Sequence, residues 1–253
     1  MSKVSIIVAT YNRQKYISLA IESILAQSFS DWEMIVADDS SQDSTRETID
    51  PYLKDARIKY YFNEQNLGIS KNRNKALKMC QGKYIAVLDS DDLWFDKGKL
   101  AKQVDFLENN PDYGLIGTGI RVIDGHGNII KEYHNPETDK KIRESILLRN
   151  PFVHSSAIFR KDLVDRLGGY EESFKIGEDY AMWLRLGRLC KMANLPGIYT
   201  AYRVHGHSIC VSDKISGAKN TWGIIKKYHN DYPNYFWAML KSYLRILKAY
   251  LGL

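Results

Sequence analysis

The chain lacks the marks of a secreted, membrane-spanning or zinc-finger protein. It has three cysteines, Cys80, Cys190 and Cys210, scattered through 253 residues and odd in number. No metal-type spacing links them, so each reads as a buried or free thiol in a reducing compartment. The apolar run near the start, Val4 to Ala9, is too short for a signal-peptide core and has no small-residue cleavage site after it. No stretch approaches the roughly 20 apolar residues that span a bilayer. A cytoplasmic location is expected. Linkers, repeats and low-complexity tracts are absent. Lys and Arg number 36 against 30 Asp and Glu, a net charge of +6. They are spread out rather than clustered, which argues against nucleic acid. The mild excess suits phosphate-rich substrates or an anionic membrane surface. With 44% hydrophobic residues the chain can bury a sizeable core, as one large domain or two small ones.

The first half alternates strand-like and helix-like patterns. Val4 to Ala9 is continuously apolar, as in a strand buried on both faces. Ile17, Ala20, Ile21, Ile24 and Leu25 recur at helical spacing. Trp32 to Ala37 predicts a second strand and Arg57 to Phe62 a third. Ser44-Thr45-Arg46-Glu47 fits a capping box. Ile69, Ala76, Leu77 and Cys80 fit a helix, with Gly82 as its stop. A fourth strand runs into Leu88-Asp89. Strands separated by helix-length segments imply βαβ units and a mostly parallel sheet.

Ligands in such sheets bind beyond the carboxyl ends of the strands. Thr10-Tyr11-Asn12, Asp38-Asp39-Ser40 and Asp89-Ser90-Asp91-Asp92 all stand at predicted strand ends, so they should share one edge. Asp89 and Asp91 present paired carboxylates suited to a hard divalent ion, Mg²⁺ or Mn²⁺, that carries a substrate's phosphates. Taken alone they could equally cap a helix or face solvent.

Beyond about residue 110 the pattern changes. Leu115 to Gly119 predicts a short strand. Arg121-Val122-Ile123 and Asn128-Ile129-Ile130 flank a hairpin turn at Asp124-Gly125-His126-Gly127. Ser155 to Arg160 predicts another strand and Glu178 to Leu189 a helix. From Tyr235 to Leu251 an apolar stripe, Phe236, Met239, Leu240, Tyr243, Leu244, Leu247, Tyr250 and Leu251, stands opposite Lys241, Arg245 and Lys248. This basic amphipathic helix either packs on the domain or lies in a membrane interface.

Several motifs in order complete the pattern: Val4 to Asn12, Asp38 to Thr45, Asn66-Leu67-Gly68, Arg73-Asn74, Asp89 to Trp94, Gly177 to Leu186, and Tyr202-Arg203-Val204-His205. Together they resemble inverting glycosyltransferases of family 2. The resemblance is strong over about residues 3 to 95 and clear again around 154 to 207. It implies a GT-A fold, Rossmann-like, with helices flanking the sheet. One domain over residues 1–225 is expected, split into a nucleotide-sugar half (1–110) and an acceptor half (111–225). A helical tail (226–253) follows.

The resemblance also implies roles. Thr10 and Tyr11 line the nucleotide pocket, and Asp39 accepts from the uracil N3–H, a task suited to an acceptor-only carboxylate. Asn66 and Gly68 border the nucleotide, and Arg73 lies near base and diphosphate. Asp89 holds ribose or a metal-bound water. Asp91 ligates the metal, with His205 a second candidate ligand. Glu178 and Asp179 open a helix near the acceptor, where Asp179 is the general base. Trp94 and His154 stand on the acceptor side. Helix capping, surface exposure or core packing remain the plainer roles for these residues. Implied partners are a nucleotide-sugar, most simply a UDP-sugar, a glycan or lipid-linked acceptor, and the cytoplasmic membrane surface. Surface polysaccharide or lipopolysaccharide assembly fits. A nucleotidyltransferase would carry a glycine-rich loop after its first strand, but Thr10 to Lys15 has no glycine. A non-catalytic sugar-nucleotide binder would not need Asp89, Asp91 and Asp179 together.

Overall fold

The computed structural model describes residues 2–206 and 213–251. Cys210, noted above, lies outside the described residues, as does His207. Four strands, β1 (Val4–Thr10), β2 (Trp32–Asp38), β3 (Ile58–Phe62) and β4 (Tyr84–Val87), form a parallel block in the order β3-β2-β1-β4. Their side chains alternate between two apolar layers. Val4, Ile6 and Val8 join Ile17, Ala20, Ile21 and Ile24 of helix α1 (Ile17–Leu25). Ile7 points the other way, into the layer holding Ala76 and Leu77 of helix α3 (Ile69–Met79). Each fully buried Ile contributes about 1.5–3 kcal/mol over an exposed one. That is why β1, β2 and β4 read as near-continuous apolar runs.

The sheet continues with β8 (Ile158–Arg160) antiparallel to β4, then β6 (Tyr113–Ile123), β9 (Lys191–Arg203) and β5 (Leu93–Trp94), with β7 (Ile129–Tyr133) paired on β6. One nine-stranded sheet therefore runs through both halves. The remaining helices are α2 (Thr45–Ile49), α4 (Lys99–Asn109), α5 (Asp139–Ser145), α6 (Lys161–Leu167), α7 (Glu178–Leu186), α8 (Lys214–Lys227) and α9 (Tyr235–Tyr250).

Several local expectations change. Ser44 makes no side-chain cap; Asp43 Oδ1 instead accepts from the Thr45 N–H at 3.1 Å. Gly82 is not a helix stop. Helix α3 ends at Met79 with Cys80 extended, and a Cβ on Gly82 would lie 2.5 Å from Ser5 N, so glycine serves a close backbone crossing. Strand β9 has no counterpart in the sequence reading because Pro196-Gly197 interrupts it. The sheet absorbs those residues as a register shift, Thr118 pairing with Leu195 and Gly119 with Ile198. Residues His154–Ser156 form a 3₁₀ turn rather than the start of β8.

Helix α9 packs by an unexpected face. Ala238 and Ser242 are buried, and Tyr235 and Met239 lean on the core. The larger apolar side chains point out: Phe236 is 70% and Trp237 61% exposed, and Leu240, Tyr243, Leu244, Leu247, Tyr250 and Leu251 are also open. At 100° per residue Lys241, Arg245 and Lys248 fall on the flank between the packed and the apolar faces. Among the described residues no helix is long and apolar enough to cross a membrane.

Candidate active site

The carboxyl ends of β1 and β2 lie level, Thr10 beside Asp38, with the Asp39 N–H donating to the Thr10 carbonyl at 2.9 Å, while β4 ends with Val87 beside Ile7. Beyond them two loops are laced together. Asn12 N–H donates to Ser41 Oγ, and Gln42 N–H to Asn12 Oδ1, both at 2.8 Å. Arg13 N–H donates to Thr45 Oγ1 and Ser44 N–H to Gln14 Oε1, again at 2.8 Å. Asn12 and Ser40 take φ of 52° and 71°, left-handed values that short polar residues tolerate. The lacing holds them there.

At the β1–β2 end of this edge, Thr10 is buried and its hydroxyl has no partner among the described residues. Tyr11 is exposed. Asp38 is buried and structural, accepting from the Ser41 N–H at 2.8 Å and the Tyr60 hydroxyl at 2.9 Å. Asp39 accepts from the N–H groups of Leu67 (2.8 Å) and Gly68 (2.9 Å) and from Asn63 Nδ2 (3.0 Å). Three donors leave room for about one more on an ionised carboxylate. Asn66 Nδ2 donates to the Asp39 carbonyl at 3.1 Å, so Asp39 organises this loop as well as facing it. Gly68 has φ of 84° with open space around its Cβ position. Its backbone conformation, not crowding, calls for glycine.

Arg73 turns inward. It is 2% exposed and joins two carboxylates, Asp89 at 2.5 Å through Nη2 and Glu178 through Nη1. His154 lies behind Asp89, with Nδ1 at 3.0 Å from Asp89 Oδ1 and Nε2 at 3.0 Å from the Tyr170 hydroxyl. A tautomer protonated on Nδ1 satisfies both contacts. Burial alone would raise Asp89, but His154 and Arg73 beside it hold its carboxyl well below the usual range. Burial opposes the Arg73 charge too, yet Asp89 and Glu178 keep it firmly protonated. For Glu178 burial wins and raises the carboxyl, with Arg73 opposing and Asp179 adding to the rise. Asp179 itself is half-buried and accepts from Asn150 Nδ2 at 3.1 Å.

Asp91 faces a different way. Its Oδ2 lies 2.9 Å from His205 Nε2 and 3.3 Å from Arg13 Nε. A carboxylate oxygen and an imidazole nitrogen thus converge, a donor pair that suits Mn²⁺ or Mg²⁺. Among the described residues no group of three or more His, Cys, Asp or Glu gathers around one point. An ion here would complete its shell with water and substrate oxygens, as such ions commonly do. The His205 ring also stacks on Tyr16, centroids 5.1 Å apart.

Trp94, expected toward the acceptor, is buried: its Nε1 donates to the Ser155 carbonyl at 2.7 Å and Lys99 Nζ lies 4.0 Å from its ring. It forms a wall beneath the site. Asp92 is buried as well. Burial, with Asp91 and Asp89 close by, pushes its carboxyl well above the usual range. Arg13, Asn150, Ser155, Tyr170 and Arg203 stand around the site although the sequence reading gave them no role. Arg203 carried a signal in its place in the Tyr-Arg-x-His run, and Ser155 in its place beside His154, where the resemblance resumes.

The family model for glycosyl transferase family 2 matches residues 5–168. An uncharacterised glycosyltransferase of Methanocaldococcus jannaschii is 38% identical over 187 residues, 72% of this chain and 63% of that one. The O-antigen biosynthesis glycosyltransferase WbnJ of Escherichia coli is 33% identical over 213 residues, 82% of each. The E. coli UDP-Glc:alpha-D-GlcNAc-diphosphoundecaprenol beta-1,3-glucosyltransferase WfgD is 34% identical over 227 residues, 88% of this chain and 85% of that one. Among solved structures, Staphylococcus aureus TarS 1–349 in complex with UDP-GlcNAc superposes with a TM-score of 0.76 at 22% identity, covering 96% of this chain and 72% of that one. The Pyrobaculum calidifontis mannosyltransferase in complex with GDP-Man and Mn²⁺ gives 0.72 at 18% identity, covering 100% and 76%. With its GT-A architecture and these matches, the chain belongs to glycosyl transferase family 2.

Proposed function

We propose that the protein transfers a sugar from a UDP-sugar to a hydroxyl of a glycan or lipid-linked acceptor, with inversion and with a divalent metal. The observation that carries this reading is the Arg73 bridge. It ties Asp89, at the carboxyl edge of the donor half, to Glu178, the residue before the carboxylate Asp179. Asp89 and the neighbour of the candidate base thus share one buried cation. Relatives point the same way: WfgD is named for a UDP-glucose donor and a diphosphoundecaprenol acceptor, and WbnJ for O-antigen biosynthesis.

In this reading Tyr11, Asp39 and the Asn66-Leu67-Gly68 loop hold the nucleoside. Asp89 binds the ribose. Asp91 and His205 would hold the ion, which would supply charge neutralisation at the leaving diphosphate. Asp179 takes the proton of the acceptor hydroxyl as that oxygen bonds to the anomeric carbon. The bond from that carbon to the diphosphate oxygen breaks, and its electron pair leaves with the UDP. A single displacement needs one base and no covalent intermediate, unlike retaining hydrolysis with its carboxylate nucleophile. The test is nucleoside diphosphate release from a panel of sugar nucleotides with and without Mn²⁺. Metal-dependent UDP release, lost in Asp91→Ala, is expected. Release from no donor would leave a binding module, and an unimpaired Asp91→Ala would remove the metal site.

The outer face of α9 fits an anionic bilayer on the cytoplasmic side. Phe236, Trp237, Leu240, Leu244 and Leu247 supply the apolar surface, and Lys241, Arg245 and Lys248 flank it. Trp237→Ser with Leu244→Ser should cut binding to liposomes containing phosphatidylglycerol without lowering the melting temperature, because neither side chain is packed. Equal partitioning of variant and parent would remove the membrane role.

A further inference from the structure

Neither the resemblance nor the mechanism above gives Asp92 a role, yet it is the most buried carboxylate in the acidic run. It is 1% exposed. Its backbone N–H closes a turn on the Asp89 carbonyl at 2.9 Å. One side-chain oxygen, Oδ1, accepts the backbone N–H of Arg203 at 2.7 Å. The other, Oδ2, meets Ser155 Oγ, which also accepts the Asp89 N–H at 3.0 Å. Arg203 returns the contact: its Nε donates to the Asp91 carbonyl at 2.8 Å, and its Nη1 reaches the Asp124 carbonyl at 3.2 Å.

Residues 91–92 and residue 203 are therefore pinned at two points, 111 and 112 positions apart in the chain. Only Val204 separates that clamp from His205. The backbone path of His205 leaves β9 at Arg203, and Val204 N–H adds a last ladder bond to the Ile123 carbonyl at 2.8 Å. Among the described residues no other carboxylate of the acidic run bonds β9: the Asp89 side chain meets Arg73 and His154, and the Asp91 side chain meets His205 and Arg13. The arrangement is that of a supporting group behind two candidate ligands, and such groups commonly change metal affinity by 10–100-fold when removed.

We propose that Asp92 is a positioning residue that sets His205 opposite Asp91, building the two-point metal site out of segments far apart in sequence. This rests on the reading of Asp91 and His205 as ligands, so the experiment includes one readout that is independent of metal. Asp92→Ala removes both acceptors. Asp92→Asn keeps an oxygen for the Arg203 N–H and turns the second contact into a donor that Ser155 Oγ can accept.

The first measurement is the Mn²⁺ affinity of the UDP complex, by calorimetry. Asp92→Ala should weaken it about 10-fold or more, with Asp92→Asn within about threefold of the parent. In a His205→Ala background, Asp92→Ala should cost nothing further, because the group it positions is gone. A loss that persists in that background overturns the proposal. The second measurement is the imidazole NMR signal of His205, identified by its disappearance in His205→Ala and recorded without metal. It should shift in Asp92→Ala and stay near the parent position in Asp92→Asn. An unmoved signal in Asp92→Ala overturns the proposal. If the parent binds no Mn²⁺ with UDP, the ligand reading fails and the NMR comparison alone decides whether Asp92 orients His205. Should Asp92→Ala not fold, Asp92→Ser, too short to reach both partners, takes its place in both measurements.

Discussion

The nucleotide half and the acceptor half assemble their parts of the site in opposite ways. In the first half the loops after β1 and β2 interlock through contacts about one βαβ unit apart: Asn12 with Ser41 and Gln42, Arg13 with Thr45. In the second half His154, Glu178 and His205 each arrive by a long reach. His154 meets Asp89 across 65 positions, Glu178 meets Arg73 across 105, and His205 meets Asp91 across 114. The first half is thus a preformed edge of a parallel sheet. The second is a set of chain segments recruited to it by buried charge. Local geometry sets the nucleoside end, whereas paired buried ions set the reacting end.

Breaking the join between the halves should have the largest effect. Arg73→Ala strands Glu178 and Asp89 without their cation. Removing one partner of such a buried pair costs about 3–5 kcal/mol, so a large fall in melting temperature is expected. Adding Glu178→Gln to Arg73→Ala should recover part of it, and no recovery would show that the pair is not the join. Next is Asp179→Asn, which should lower sugar transfer about 10²–10⁴-fold while UDP affinity by calorimetry stays near the parent value. Comparable rates would remove Asp179 as base and leave the acceptor half without one.

The smallest effect belongs to the far edge of the nucleotide half. Burial would raise Glu33, but Lys59, Ser5 and the Gln81 N–H lower it below its usual range. A carboxyl lowered on folding adds stability above its unfolded pKa, and that stability is lost as the pH falls through the folded value. Glu33→Gln should therefore flatten the acid side of the melting-temperature profile, by a few degrees at most, and leave transfer unaltered. An unchanged acid limb would show that this edge does not couple to pH.

Legibility in the sequence followed the same division. The strands Val4 to Ala9 and Trp32 to Ala37 could be read because burial on both faces demands near-continuous apolar runs, and Arg57 to Phe62 because its β-branched and aromatic residues suit a half-buried strand. The polar sets at their ends could be placed because a parallel sheet aligns its carboxyl edge. Strand β9 could not, since Pro196-Gly197 masks a strand whose bulge only the neighbouring β6 makes possible. Arg73 read as a nucleotide contact because its type and position allow one; that it is enclosed by Asp89 and Glu178 depends on α7 docking against α3. Helix α9 was recognisable as amphipathic, but its packing through Ala238 and Ser242 rather than through its apolar stripe was not. Small residues leave no periodic apolar signal, though they allow the closest approach.

By itself, then, the sequence determined the alternating sheet, the common edge and the identity of the acidic run, because periodicity and strand-end chemistry are local properties. The tertiary structure decided the division of labour within that run. Asp89 turns to Arg73 and His154, Asp91 to His205, and Asp92 to Ser155 and Arg203. Those partners lie 16 to 114 positions away, and a buried carboxylate takes its role from whichever donors the fold brings within 3 Å.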